Sequence, residues 1–170
     1  MHNQIRIGLA IIGLTAGLVR AGDSKQSVQA SVERQRPTLI KLSDQVWAFA
    51  ETALRETKSS KVLADYAQEQ GFKVERGVAG MPTAFVATYG SGKPVIGILG
   101  EFDALPGLSQ KAQATKEVLN PGAAGHACGH NLFGAASLGA ATAIKELIDD
   151  GKLKGTVKFY GTPAEEAVGG

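Results

Sequence analysis

The sequence contains a single cysteine, Cys128, among its 170 residues, so an intramolecular disulfide is excluded. It also lacks an excess of charge of either sign, because 18 lysines and arginines nearly balance 16 aspartates and glutamates, for a net charge of +2. No lysine- or arginine-rich run stands out. This balance argues against a nucleic-acid partner and against attachment to a charged membrane surface.

What the sequence does contain is the composition of a folded globular domain. Hydrophobic residues make up 44% of the chain and charged residues 20%, and 170 residues suffice for one domain with its own core. Glycine is over-represented, with 22 residues in the chain, where an average protein has ~7% glycine. Many of them lie between Gly97 and Gly139, which indicates tight loops where the backbone comes close to another group.

The first residues are typical of a secretory signal peptide. A positively charged start, Met1–Arg6, precedes an uncharged apolar run, Ile7–Val19, and a cleavage motif that ends at Ala21. The run is too short to cross a bilayer as a helix, which needs about 20 residues. We therefore predict a signal peptide over 1–21, a linker over 22–36, and an exported protein, periplasmic or secreted, with no stable membrane association after cleavage. Cleavage after Ala30 would also fit, and a misassigned start codon would leave the protein in the cytoplasm.

The remaining pattern alternates between helices and strands. Apolar spacing predicts a helix through about Glu56, a second from Ser59 or Ser60 to Gly71, and a third over about Asn131–Asp149. Extended runs are predicted over Phe72–Val78, Thr83–Tyr89, Pro94–Leu99 and Thr156–Tyr160. A hairpin-like turn over Tyr89–Lys93 joins two of them, and the continuously apolar Val95–Leu99 is typical of a central strand covered on both faces. The fold class that follows is α/β, a three-layer sandwich with a mostly parallel central sheet.

Polar side chains that could form a site cluster at three places. Glu101 and Asp103 follow one predicted strand, and the pair Glu165 and Glu166 follows another. The segment 126–130, His-Ala-Cys-Gly-His, ends a long glycine-rich loop and opens a helix. Because sites in open α/β sheets gather beyond the carboxyl ends of the strands, one sheet edge could bring these groups together.

These residue types suit a transition metal. Thiolate and imidazole bind zinc well, and carboxylates complete such a site. Cys128 and His130 are two positions apart, so in an extended loop their side chains point to the same side. The following helix N-terminus would help to keep Cys128 as the thiolate. Of two adjacent glutamates, one can bind metal while the other acts as general base on the water that the metal activates.

Each residue also has a purely structural interpretation. A lone cysteine among small residues is usually a buried small hydrophobe, and a pair of glutamates is usually solvated surface. Asp103 could simply cap a turn, and His126 fits a loop residue better than a ligand. The combination of a His-x-Cys-x-His cluster with acidic residues after two strands is what favours a metal site.

Three motifs, in this order, resemble the signatures of one metallopeptidase and amidohydrolase superfamily, which includes aminoacylases, hippurate hydrolases, auxin-conjugate hydrolases, carboxypeptidases and aminobenzoyl-glutamate hydrolases. They are Gly100–Gly107 (Gly-Glu-Phe-Asp-Ala-Leu-Pro-Gly), Gly125–Asn131 (Gly-His-Ala-Cys-Gly-His-Asn) and Thr162–Glu166 (Thr-Pro-Ala-Glu-Glu). The aminobenzoyl-glutamate utilization protein B subgroup is the most similar, and Glu51, Glu56, Gly71–Val74 and Ala79–Phe85 also fit it. The resemblance covers about residues 37–170, which would be the N-terminal part of a zinc-exopeptidase-like catalytic domain.

The resemblance implies roles for five residues. Cys128, His130 and Glu166 match metal ligands, with the cysteine able to bridge two ions, and the implied cofactor is two divalent metal ions, zinc or manganese. Glu165 matches the general base, and Asp103 matches an aspartate that supports a metal-binding residue. The implied reaction is hydrolysis of the amide bond of a small N-acyl or N-aroyl amino acid, such as aminobenzoyl-glutamate, or of a dipeptide.

The resemblance is incomplete at two points. Glu101 stands where many superfamily members have a histidine. Members of the superfamily are also longer, with further histidine ligands and a dimerisation domain after the Glu-Glu motif. We therefore expect this chain to be a truncated form. We do not expect it to form the homodimer of the full-length family or to be an active enzyme alone. The alternative is a non-catalytic chain that retains partial metal binding. A hydrolase with Cys128 as nucleophile is a third hypothesis.

Overall fold

The structure, a computed structural model, describes residues 21–169, with side chains described from residue 24. The predicted signal peptide therefore lies outside the described residues except for Ala21. The helices are α1 (Ala21–Phe49), α2 (Thr57–Glu69), α3 (His130–Asp149) and α4 (Glu165–Val168), with a 3-10 turn at Val78–Gly80. The strands are β1 (Lys73–Arg76), β2 (Phe85–Ser91), β3 (Val95–Glu101) and β4 (Gly155–Thr162). Within residues 21–169 no helix is long and apolar enough to cross a membrane.

Segment 22–36, expected to be a linker, is helical and forms the first half of α1. Part of it packs onto the domain, since Ser31 and Gln35 are buried. The hydroxyl of Tyr66 on α2 donates a hydrogen bond of 2.9 Å to Oε1 of Gln35. The first predicted helix also ends earlier than expected, at Phe49, because Ala50 takes a positive φ of 42°.

The sheet among the described residues is mixed, in the order β1-β2-β4-β3. Strand β2 pairs antiparallel with β1 and with β4, and only β3 and β4 are parallel. The α/β class is confirmed, whereas a mostly parallel sheet is wrong for this part of the chain. The hairpin over Tyr89–Lys93 is wrong as well, because β4 lies between β2 and β3 and takes the hydrogen bonds that a hairpin would have used.

The helices cover one face of this sheet. Side chains from α1, α2 and α3 form a single hydrophobic core with β2 and β4, in which the rings of Phe85 and Phe159 lie 5.6 Å apart. On β3, Ile98 packs against this core, while Val95 and Leu99 are 54% and 56% exposed. Residues 21–169 thus form two layers and not the expected three, and β3 is an edge strand with one open face.

The helix α3 starts one residue from its predicted position, at His130. On its inward face Ala135, Leu138 and Ala141 are buried, while Leu132 is 64% exposed. The helix comes close to β3 at Gly134, where an added Cβ would lie 2.6 Å from the carbonyl oxygen of Glu101. This close approach places the first turn of α3 beside the carboxyl end of β3.

Candidate metal centre

Two parallel strands deliver the acidic residues to one edge of the sheet. The β3–β4 register pairs Glu101 with Thr162, so both strands end side by side. Asp103 follows β3 by two residues, and Glu165 begins α4 just after β4. The structure therefore brings the acidic residues after β3 close to those after β4, as expected.

His130 lies at the centre of this edge and is 4% exposed. Its Nδ1 is 2.9 Å from Oδ1 of Asp103, and its Nε2 is 2.9 Å from Oε2 of Glu101. A carboxylate can only accept, and a neutral ring can donate to only one of the two. A proton on Nδ1, donated to the buried Asp103, leaves the lone pair of Nε2 for a cation that would lie between it and Glu101. A histidine held by a carboxylate in this way is typical of metal ligands.

Asp103 also fixes the segment after β4. It is 1% exposed, and its Oδ2 accepts a hydrogen bond of 3.0 Å from the backbone N–H of Glu166. One carboxylate thus holds the imidazole of His130 and the start of α4 together. This arrangement agrees with the supporting role that the resemblance implies for Asp103.

Two overlapping groups of potential ligands surround His130. The first is Cys128, His130 and Glu166, and the second is Glu101, His130 and Glu165; within each group the ligand atoms lie within 4.8 Å of one another. Nε2 of His130 is 3.8 Å from Oε2 of Glu165 and 3.9 Å from Oε1 of Glu166. The structure therefore brings together all the residues that the sequence predicted for the site.

The polar atoms of the site fit a divalent cation. Oε1 of Glu166 is buried and has no hydrogen-bond partner among the described residues, although a buried carboxylate oxygen normally has one. Carboxylates surround a single imidazole here, so a cation would compensate an excess of negative charge. Thiol, imidazole and carboxylate donors together form a set that suits a transition metal such as zinc.

Burial, together with the clustered acids, raises the pKa values of two groups in the site. Burial, followed by the charges of Glu165, Asp103 and Glu166, raises the pKa of Glu101, although His130 opposes this. Partial desolvation, a hydrogen bond with Glu166 and the nearby carboxylates raise the pKa of the Cys128 thiol. Desolvation and the neighbouring carboxylates therefore act against the thiolate that the helix N-terminus is expected to favour.

His126 has a structural position. It is 7% exposed, belongs to neither ligand group among the described residues, and its Nε2 lies 3.1 Å from the carbonyl oxygen of Val46. Burial lowers the pKa of its imidazole, which favours the neutral ring. The ring thus anchors the glycine-rich loop to α1.

Two acidic residues near the site were absent from the predicted set. Glu101 had a signal in the sequence, since it follows β3 at the position of a histidine in many superfamily members, and it contacts His130 directly. Glu56 was noted only as fitting the aminobenzoyl-glutamate subgroup and had no predicted role, because an acidic residue next to a helix end is usually on the surface. Its side chain is nevertheless fully buried and reaches the backbone beside Glu165.

Comparison with known proteins agrees with this geometry. Residues 97–170 match the family described as Peptidase family M20/M25/M40. The chain is 43% identical to a p-aminobenzoyl-glutamate hydrolase polypeptide of Escherichia coli over 84% of its own length and 30% of that protein. It is 31% identical to the human Xaa-Arg dipeptidase over 86% of its length and 33% of the dipeptidase.

A solved structure supports the same assignment. The chain superposes on a dinuclear metal-binding peptidase of the M20 family from Bacillus subtilis with a TM-score of 0.64 and 28% identity, covering 81% of this chain and 36% of that one. The chain thus spans about a third of the length of the relatives it matches. Motifs, fold and relatives thus agree on one family, since residues 97–170 match Peptidase family M20/M25/M40.

Proposed function

We propose that the protein belongs to a metal-dependent amidohydrolase that cleaves the amide bond of a small N-acyl or N-aroyl amino acid. The observation that carries this proposal is the convergence of a thiol, an imidazole and a carboxylate within 4.8 Å, with Glu165 beside them. The name of the Escherichia coli relative, a p-aminobenzoyl-glutamate hydrolase, supports an aroyl amino acid as the substrate class.

Cys128, His130 and Glu166 would hold a metal ion, and the carboxylate of Glu101 lies next to them, where it would contribute to binding a second ion. A bound divalent metal lowers the pKa of a coordinated water and polarises the substrate carbonyl. Two ions, zinc or manganese, are the proposed cofactor. The description of the Bacillus subtilis structure as dinuclear supports the number, and the thiol and imidazole donors are compatible with zinc.

Three acidic residues of this chain would have separate roles in the reaction. The side chain of Glu165 is 42% exposed, so it can accept a proton from attacking water and return it to the leaving amine. Glu166 is less accessible, with 19% exposure, as befits a ligand. Asp103 would hold His130 in the tautomer that leaves the lone pair of Nε2 for coordination.

Two alternatives concern the substrate and the activity of this chain. A dipeptide is the second candidate substrate, supported by the similarity to Xaa-Arg dipeptidase. A chain that binds metal without catalysing hydrolysis is the second candidate function. It is favoured by the overlap of the two ligand groups of the described residues, because His130 belongs to both and its Nε2 can coordinate one ion only.

The test is metal content by mass spectrometry before and after chelator, with hydrolysis of p-aminobenzoyl-glutamate and of a dipeptide followed in the same samples. Glu166→Gln should lose metal, whereas Glu165→Gln should keep metal and lose only turnover. Tightly bound metal with chelator-sensitive hydrolysis supports the proposal. Metal without hydrolysis in the wild type supports the non-catalytic alternative, and the absence of any metal binding overturns both.

A further inference from the structure

Glu56 is a buried carboxylate that links three distant segments. Its side chain is fully buried. Oε1 accepts hydrogen bonds of 2.9 Å from the N–H groups of Leu54 and Ala164, and Oε2 accepts one of 3.0 Å from Oγ1 of Thr83. Glu56 takes part in none of the ion pairs among the described residues. A charge buried in this way is costly, so the three donors must hold it firmly.

The contact with Ala164 is the one that concerns the site. Ala164 is fully buried and has φ 61° and ψ 29°, a left-handed conformation that is unfavourable for an alanine because of its Cβ. It directly precedes Glu165, and its N–H reaches across 108 positions of sequence to Glu56. The chain turns here from β4 into the segment that carries both glutamates.

We propose that Glu56 is a positioning residue for the Glu165–Glu166 pair. Its Oε1 holds Ala164 in the left-handed conformation, and this turn directs both carboxylates toward His130. Asp103 holds the N–H of Glu166 on the other side. Glu165 is thus flanked by two backbone amides, each fixed by a buried carboxylate from elsewhere in the chain. The catalytic meaning of this arrangement rests on the proposed function, whereas the positioning itself does not.

A role in capping α2 does not explain the Glu56 side chain. Glu56 is the N-cap residue of α2 but makes no side-chain capping hydrogen bond. Glu51 does this instead, since its carboxylate accepts from the N–H groups of Lys58 and Ser59 at 2.8–3.1 Å. The side chain of Glu56 is therefore directed at Thr83 and Ala164 and away from its own helix.

Amide hydrogen exchange, read at Ala164 and Glu166 by NMR of the 170-residue chain, tests the positioning without any metal. Glu56→Ala should accelerate exchange at Ala164 by at least about tenfold beyond the change in global unfolding, because a buried N–H loses its acceptor. Glu56→Gln should stay within about threefold of wild type, since its amide oxygen can accept from Ala164 while its NH₂ donates to Thr83. Thr83→Val is the matched control, because it removes the third contact and leaves the one with Ala164.

Two further variants keep the outcome decisive. Glu56→Asp retains the charge but is too short to reach Ala164, so it should behave like Glu56→Ala if the latter does not fold. Ala164→Gly should reduce the effect of either substitution, because glycine adopts positive φ without the side-chain penalty. If the amide of Ala164 exchanged no faster in Glu56→Asp and Glu56→Ala than in Thr83→Val, the positioning role would be overturned.

Cobalt(II) binding, followed by the thiolate charge-transfer band of Cys128, tests the link to the site. Glu56→Ala and Glu56→Asp should weaken cobalt affinity at least about tenfold, with recovery in Glu56→Gln. Equal affinity in all variants would overturn this link. If the wild type bound no cobalt, the proposed function would fail, while the exchange data would still decide whether Glu56 holds Ala164.

Discussion

Oδ1 of Asp103 lies 2.9 Å from Nδ1 of His130, and both side chains are buried. The second oxygen of the same carboxylate accepts the N–H of Glu166 at 3.0 Å. Both carboxylate oxygens of Asp103 therefore contact predicted metal ligands: one contacts the imidazole of His130, and the other accepts from the backbone N–H of Glu166. An aspartate in this position couples the orientation of the imidazole to the position of the Glu-Glu segment.

Asp103→Asn should weaken metal binding by about 10–100-fold, the usual effect of removing a partner of a metal-bound histidine. The amide has one acceptor oxygen, so either His130 or the N–H of Glu166 faces an NH₂ group in its place. Competition with a chromophoric chelator measures the affinity. Asp44→Asn, an exposed substitution on α1, is the control. Equal affinity in both variants would show that Asp103 does not support the site.

Gly134 allows α3 to approach β3 one turn after His130. An added Cβ would lie 2.6 Å from the carbonyl oxygen of Glu101, a backbone atom that cannot move alone. Gly134→Ala should therefore destabilise the fold by about 1–3 kcal/mol in spite of its better helix propensity. It should also weaken metal binding, because the helix that carries His130 is displaced from the end of β3.

Gly139→Ala is the matched control on the same helix. Its added Cβ would also meet an atom at 2.6 Å, but this atom is a terminal methyl carbon of Leu39, which can rotate away. We expect its free energy of unfolding to stay within about 1 kcal/mol of wild type, since better helix propensity offsets the crowding. Urea unfolding measures both variants. A larger loss for Gly139→Ala than for Gly134→Ala would contradict the proposed role of the α3–β3 contact.

Asp149 gives the fold a pH-dependent component far from the site. A hydrogen bond from Lys145, with a further one from Tyr89, lowers the pKa of Asp149 below its ordinary value of 3.8. The unfolded chain therefore binds a proton more readily than the folded one, so this stabilisation is present above the unfolded pKa and is lost as pH falls through the folded pKa. Because the group is exposed and screened, we expect less than about 1 kcal/mol.

The measurement is urea unfolding of wild type and Asp149→Asn between pH 2.5 and 7. Wild type should be the more stable of the two at neutral pH, and the difference should shrink as the solution becomes acidic. A difference that stayed constant over this range would show that Asp149 does not contribute through its charge.

The parts of the fold that depend on neighbouring residues were predictable from sequence. Helix α3 begins one residue from its predicted start, and α2 is followed by Gly71 as expected, because glycine signals and apolar periodicity are local. The strand-end clusters meet for a general reason, since parallel strands end at a common edge. Glu165, Glu166 and Asp103 could therefore be placed together from the sequence.

The order of the strands depends on distant pairing and was not predictable. The glycine-rich turn at Tyr89–Lys93 favours a hairpin, but β2 pairs with β4, whose residues lie some seventy positions further along the chain. Glu56 illustrates the same limit at the site, because only the folded chain shows that its carboxylate meets Ala164. A buried charge of this kind is invisible to a pattern of polar and apolar residues.

The continuously apolar run Val95–Leu99 led to the prediction of a strand covered on both faces, whereas the described part of the chain covers one. Leu99 is 56% exposed, and its neighbour Ile98 packs against the core. Leu99→Ala should therefore change the free energy of unfolding of the 170-residue chain by less than about 0.5 kcal/mol. Ile98→Ala should cost about 1–3 kcal/mol, below the full penalty for a completely buried isoleucine.

Urea unfolding at two protein concentrations measures both variants. If Leu99→Ala proved as costly as Ile98→Ala, the open face of β3 would be covered in solution. A cost that rose with protein concentration would then identify a second copy of the chain as the cover, because association stabilises a fold by mass action. A cost independent of concentration would point to cover from within the chain itself.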